Sequence, residues 1–265
     1  MLGAIAGDII GSVYEFDDIK PNYNFPLFIE DSKFTDDTVL TVALADSILS
    51  GIEYQKKLNE FYQLYPSCSY SGNFKVWAES NEQHPYNSWG NGSAMRVSPV
   101  GWAYNDLDIV LQKAKESAET THNHPKGIKG AQATASAIYL ARTGSSKKEI
   151  KNYLIKNFDY NLDLDMEDLR KNYEFNESSQ DTVPQAIYTF LISESFEDSI
   201  RKAIYIGGDS DTLACINGSI AEAYYGVIPE YIINEMYNRL DLKLLAIVKE
   251  FLKKYSVNSE LIGRK

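Results

Sequence analysis

Residues 1–16 read MLGAIAGDIIGSVYEF. Gly3, Gly7 and Gly11 recur every fourth position, which lays three glycines along one face of a helix. Each costs about 1 kcal/mol relative to alanine in a helix interior, so close approach by another backbone is expected to offset them. The run is apolar enough to suggest a targeting or membrane segment, yet it has no basic flank, carries Asp8 at its centre and is too short to span a bilayer. It reads as a buried first helix. Glu15 is expected at its end, four residues past Gly11 and seven past Asp8, projecting to a similar side.

Outward from this stretch the apolar pattern keeps helical length and period, and no alternating strand pattern dominates. Helices are expected at Thr38 to Leu49, Leu107 to Ala118, Ile128 to Ala141, Lys148 to Asn157, Val183 to Ile192, Phe196 to Ile206, Leu213 to Tyr225 and Leu242 to Lys254. The fold class is therefore all-α, and small residues from Gly130 to Ala141 suit closely packed neighbours. Two regions break the pattern. Pro66 to Val100 is rich in Ser, Gly, Asn and Pro, and its Trp77 and Trp89 suggest packed loops. Phe158 to Thr182 is acidic. Neither resembles a linker, so residues 1–265 are expected to form one domain.

The chain has 265 residues, 44% of them hydrophobic, long enough for a large core without disulfides. Cys68 and Cys215 lie in no CxxC pair and, without a signal sequence, read as reduced thiols of a cytoplasmic protein. Against 26 Lys+Arg stand 37 Asp+Glu, a net charge of -11. That balance argues against general nucleic-acid binding, and a phosphate-bearing ligand would need a local attraction from a metal, a backbone nest or a helix N-terminus.

Two motifs carry candidate chemistry. Thr35-Asp36-Asp37-Thr38 precedes one expected helix, and Gly207-Gly208-Asp209-Ser210-Asp211-Thr212 precedes another. Capping and dipole compensation account for either motif alone. Together they supply enough hard oxygen donors for two neighbouring Mg²⁺, Mn²⁺ or Ca²⁺ ions. Rival signatures fail on spelling. Asp36-Asp37 does not continue as DDxxD, no His-Asp pair exists, no Walker A sequence is present, and Leu164 and Arg170 spoil an EF-hand reading from Asp159. Gly90-Asn91-Gly92-Ser93-Ala94-Met95-Arg96 offers backbone donors that could cradle a diphosphate, although a simple turn explains it as well. His122 and His124 form a weak zinc pattern, and capping or substrate hydrogen bonding suits them better.

In this order the segments resemble the ADP-ribosylglycohydrolase family. The carriers are GAIAGDIIGSVYEF, FTDDT, GNGSAMRVSPVG, Thr121-His122 and GGDSDT, spanning most of the chain. The resemblance implies a compact orthogonal multi-helix bundle whose cleft holds two Mg²⁺ ions, or Mn²⁺, and an ADP-ribose unit. It further implies Thr35, Asp36, Asp37, Asp209, Asp211 and Thr212 as metal ligands and Glu15 beside them. Gly72, Gly90, Asn91, Gly92, Ser93, Met95 and His122 would face the ligand. The implied reaction is hydrolysis of the bond from C1″ of the distal ribose to an acceptor, with Glu15 the first candidate for catalysis and Asp37 the second. Trp89 or Tyr86 is placed to stack on adenine. A non-hydrolytic, crystallin-like binder of ADP-ribose and a dinuclear phosphatase are the competing readings. Glu222 stands where many members of the family have glycine.

Overall fold

The computed structural model describes residues 1–15 and 20–255. Fifteen helices and no strands are found among them. In chain order they are α1 (Leu2–Gly11), α2 (Asp36–Ser50), α3 (Tyr54–Leu64), α4 (Gly72–Glu79), α5 (Gly92–Met95), α6 (Ser98–Ala103) and α7 (Leu107–Glu119). The second half adds α8 (Pro125–Arg142), α9 (Lys147–Phe158), α10 (Met166–Asn172), α11 (Ser179–Leu191), α12 (Phe196–Tyr205), α13 (Ser210–Tyr225), α14 (Glu230–Arg239) and α15 (Leu242–Tyr255). The all-α expectation holds. None of the described helices is long and apolar enough to cross a membrane.

The architecture is organised around α1 and α13. Every residue of α1 is buried, as is α13 from Ser210 to Ala223. Their contact is backbone against backbone: a methyl group at Gly3 would collide with the Gly218 carbonyl, one at Gly7 with the Ala214 carbonyl, and one at Gly11 with Asp211 Cα. The glycine face of the first helix is thus used as its spacing predicts. Helices α8, α11 and α12 pack round the remaining faces of α13, while α2 lies against α1. Ala131, Ala133, Ala135 and Ala137 keep α8 thin enough to touch several of these neighbours at once. Glu222, the departure from the family pattern, is buried at the far end of the α1–α13 contact, where it meets the Met1 ammonium and accepts from Gly3 N at 2.9 Å.

Three expectations need correction. Helix α1 ends at Gly11 with Ser12 as its C-cap, so Glu15 lies in the following turn and not at the helix end. The C-terminal part of the glycine face abuts α13 at Asp211, and there the chain leaves the helix. The two irregular regions also contain helices: α4, α5 and the start of α6 in the first, α10 and the start of α11 in the second. α4, α5 and α6 are short and rich in poor helix formers and α10 has only seven residues, so packing and caps such as Ser71 and Asp165 stabilise them more than propensity does. Finally, Trp77 is packed beside Phe74, but Trp89 is 52% exposed.

Gly7→Ala tests the close contact. The added methyl meets main chain on α13, which cannot move without parting the two helices, so a loss of about 3 kcal/mol or more in unfolding free energy is expected from chemical denaturation. Gly72→Ala, whose new Cβ would meet nothing within 4 Å, should leave stability within about 0.5 kcal/mol.

Candidate active site

The floor of the site is built by three chain segments that the α1–α13 contact brings together. Asp8, fully buried on α1, accepts from Thr35 N at 2.9 Å, from Thr35 Oγ1 at 2.6 Å, from Thr38 N at 3.1 Å and from the Thr38 hydroxyl. It therefore caps the start of α2 from a neighbouring helix and fixes Asp36 and Asp37 relative to α13. Thr35 Oγ1 also accepts from Asp37 N at 3.3 Å, so the capping explanation of this motif is true as well. Sequence reasoning noticed Asp8 only as an interruption of an apolar run. A carboxylate at the centre of a buried helix was the signal, since such a group needs dedicated donors.

From the other side come Asp209, the N-cap of α13, and Asp211 in its first turn. Carboxylate oxygens of Glu15, Asp209 and Asp211 lie within 4.8 Å of one another, an arrangement suited to holding a cation. Thr35 Oγ1 lies 3.4 Å from Asp211 Oδ2, and Thr212 Oγ1 lies 3.4 Å from Asp37 Oδ1, so the two aspartate motifs interlock. No Lys or Arg forms an ion pair with this cluster among the described residues. One oxygen each of Glu15 and Asp37 is buried without a hydrogen-bond partner. Crowded, buried carboxylates resist ionisation. Burial first, then Asp209 and Asp36, push Glu15 up to about 8, and burial followed by Asp8 pushes Asp36 up to about 7. Asp37 and Asp211 are raised well above the usual carboxylate range for the same reasons. Hard oxygen donors, orphaned oxygens and missing positive charge together fit divalent cations.

A cleft of about 430 Å³ opens above this floor. It is lined by Glu15, Asp36, Asp37, Asp209, Asp211 and Thr212 at the bottom and by Gly72, Gly90, Asn91, Gly92, Met95 and His122 on the walls. Thr35 and Ser93 do not line it: Thr35 stands behind the carboxylates, and the Ser93 hydroxyl donates to Gly127 O at 2.8 Å. The Asn91 side chain is also committed, donating to Asp209 Oδ2 at 2.6 Å and Thr182 Oγ1 at 3.2 Å. Of the backbone donors in the glycine loop, Gly90 N binds Ser88, Asn91 N binds Glu177 O, and Ala94 N and Met95 N bind Asn91 O. Of the residues lining the cleft, this leaves Gly92 N for a ligand, a smaller cradle than the sequence implied. His124 caps α8 by accepting from Lys126 N at 3.1 Å and takes no part in the cleft.

The cleft includes residues that sequence reasoning did not assign. Phe175, 47% exposed, and Glu177 line the cleft, and an antiparallel bridge between Gly90 and Ser178 ties their segment to the one that carries Trp89. Arg96 is fully buried at the cleft wall. No local pattern marks Phe175, because its position depends on how α10 and α11 are joined.

Comparison with known proteins agrees with this geometry. The model of the ADP-ribosylglycohydrolase family matches residues 1–260. The chain belongs to that family. The match makes it an enzyme, a glycohydrolase, and it favours hydrolysis over mere binding. The ADP-ribosylhydrolase ARH3 of Homo sapiens is 29% identical, over 87% of this chain and 86% of its own. An uncharacterised protein of Archaeoglobus fulgidus is 30% identical, over 81% and 79%. The ADP-ribosylarginine hydrolase Tri1 of Pseudomonas putida is 23% identical, over 86% and 70%. A solved structure titled ADP-ribosylglycohydrolase-related protein complex shares the fold with a TM-score of 0.71 at 23% identity, covering 97% of both chains.

The raised carboxylates make a prediction for the metal-free protein. A carboxylate whose pKa is higher in the folded than in the unfolded chain binds protons more tightly when folded, so its contribution to stability is lost as pH rises. The window runs from the unfolded value near 4 up to the folded values of about 7 for Asp36 and about 8 for Glu15. The melting temperature after chelation should fall between about pH 5 and pH 8. Adding Mg²⁺ or Mn²⁺ should raise it most at the alkaline end. A metal-free melting temperature that rises steadily across this range would contradict the crowded, unpaired cluster.

Proposed function

We propose that the protein is an ADP-ribosyl hydrolase dependent on two Mg²⁺ ions, with Mn²⁺ as a substitute, cleaving the bond between C1″ of the distal ribose and its acceptor. The observation that carries this reading is the convergence of Glu15 and both aspartate motifs beneath a cleft walled by the glycine loop. Thr35, Asp36, Asp37, Asp209, Asp211 and Thr212 would hold the ions, and the cluster around Glu15, Asp209 and Asp211 makes Glu15 a ligand candidate as well. When bound, such ions supply Lewis-acid charge to the ribose hydroxyls and to a water.

The residues of the chain divide the remaining work. Gly92 N faces the diphosphate, with Gly72, Gly90, Met95 and His122 closing the wall around the distal ribose, while Ser93, expected at the ligand, acts from behind by holding the loop to Gly127. Asn91 acts by holding Asp209. Trp89, half exposed at the rim, suits the adenine, and Phe175 across the bridged loops offers it a second face. Glu15, with an oxygen that no protein donor occupies, takes the proton from the attacking water as that water's oxygen bonds to C1″. The acceptor departs with the bonding electron pair and takes a proton from solvent, Glu15 later returns its own proton to solvent, and charge develops on the ribose as in other glycoside cleavages. The substrates are ADP-ribosylated conjugates, a reading supported by the names of the relatives, an ADP-ribosylhydrolase and an ADP-ribosylarginine hydrolase. The single contiguous core supports treating residues 1–265 as one catalytic domain. The free thiols Cys68 and Cys215 agree with a cytoplasmic location.

A panel of Arg-, Ser-, O-acetyl- and nucleic-acid-linked ADP-ribose, with and without Mg²⁺, tests the proposal. Release of intact ADP-ribose from at least one conjugate, abolished by chelation, is expected. Release of inorganic phosphate instead would support a phosphatase. Glu15→Gln should lower turnover by about 10²- to 10⁴-fold while ADP-ribose affinity stays close to the parent.

A further inference from the structure

Arg96 is a buried cation with an unusual set of partners. Its side chain is wholly inaccessible, and no carboxylate lies within ion-pair distance of it among the described residues. Nε and Nη1 make no hydrogen bonds, while Nη2 donates to Ser117 O at 3.1 Å, Thr120 Oγ1 at 3.3 Å and Thr121 Oγ1 at 2.8 Å. Burial lowers the guanidinium only to about 10, so it stays charged at neutral pH. An uncompensated buried charge is costly, and a stable fold that keeps one has a use for it or a ligand to balance it.

The chain of contacts leads to the cleft. Thr121 Oγ1, which accepts from Arg96, lies 2.7 Å from His122 Nδ1. On its other edge the imidazole covers the glycine loop: Nε2 lies 3.1 Å from where a Cβ on Gly92 would stand. A guanidinium has donors only, so Thr121 must accept from it and has one proton left to give. From this geometry we infer that Arg96 and Thr121 are positioning residues that lock His122 as the neutral Nε2–H tautomer, aiming a fixed hydrogen-bond donor at the anionic part of the ligand. The hydroxyl proton goes to Nδ1, one hydroxyl away from the guanidinium. A second proton at Nδ1 would face that same field, and burial together with Arg96 holds the imidazole pKa well below its ordinary value. The ligand thus receives a donor from His122 and, behind it, a positive charge from the one Lys or Arg among the described residues that line the cleft. The alternative recipient for the threonine proton is Tyr86, whose hydroxyl also approaches Thr121.

The role of the donor toward an ADP-ribose diphosphate or ribose rests on the proposed function, whereas the tautomer does not. The chain has three histidines, so replacing His84 and His124 by Gln leaves His122 as the sole imidazole. Long-range ¹H–¹⁵N spectra of this protein, labelled at histidine, should show a pyrrole-type Nε2 and a pyridine-type Nδ1 at neutral pH. A pyrrole-type Nδ1, which would send the threonine proton to Tyr86, or an imidazolium pattern would overturn the assignment. In the same background Thr121→Val should bring the two nitrogen shifts together through tautomer exchange and weaken ADP-ribose binding by about tenfold, and Thr121→Ser should restore both. Unchanged shifts in Thr121→Val would also overturn it. Arg96→Met removes the charge; should it fail to fold, the threonine pair alone decides. A parent protein that does not bind ADP-ribose would refute the functional reading, leaving the nitrogen shifts to judge the relay on their own.

Discussion

Everything at the site depends on how closely α1 can approach α13. With glycine at positions 3, 7 and 11, the first helix presents main chain where other helices present side chains, and the main chain of α13 at Gly218, Ala214 and Asp211 fills that groove. The glycines carry a propensity cost of about 1 kcal/mol each, offset by burial of both helices on all sides. The gain is geometric. Asp8 arrives where it can cap α2, and Asp209 and Asp211 arrive where they can meet Glu15. A wider helix spacing would separate the carboxylates and leave Asp8 buried without its four donors.

The second constraint is electrostatic and follows from the first. Among the described residues, packing assembles carboxylates from three segments with no cation in ion-pair contact, while Arg96 is buried in the cleft wall with no carboxylate in ion-pair contact. Both arrangements oppose folding when considered alone. Side by side they polarise one cleft, with an acidic floor suited to divalent cations and a basic element behind His122 suited to an anion. This resolves the tension in a chain of net charge -11 whose substrates carry a diphosphate: the attraction is local, held in place by buried groups, and largely independent of the surface.

Much of this was legible in the sequence because it depends on local spacing. The glycine period, the two aspartate–threonine motifs and the long helical periods each express a rule that acts over a few residues, and the all-α class and the acidic floor followed. What escaped depends on tertiary placement. Helices α4, α5 and α6 have too few residues and too many poor helix formers to announce themselves, and α10, built of better formers, is too short at seven residues to show a period. The glycine loop was read as a free cradle, yet Ser93 is turned toward Gly127 and Asn91 toward Asp209. Arg96 stood in the same motif without remark, since a sequence cannot show that an arginine is buried and unpaired.

The site also divides into parts of unequal rigidity, which bears on how one floor can serve different acceptors. Glu15, Asp36, Asp37, Asp209 and Asp211 stand on or next to the ends of α1, α2 and α13, helices buried for most of their length, so the position of the scissile bond relative to the carboxylates is set by the core. The rim comes from segments with little regular structure, around Ser69 to Asn73, Tyr86 to Gly90 and Phe175 to Glu177, the last two tied by the bridge at Gly90 and Ser178. Substitutions in those loops can change which acceptor is admitted without moving the floor. On the proposed function, recognition of ADP-ribose would belong to the helices and the glycine loop, and discrimination among acceptors to the rim.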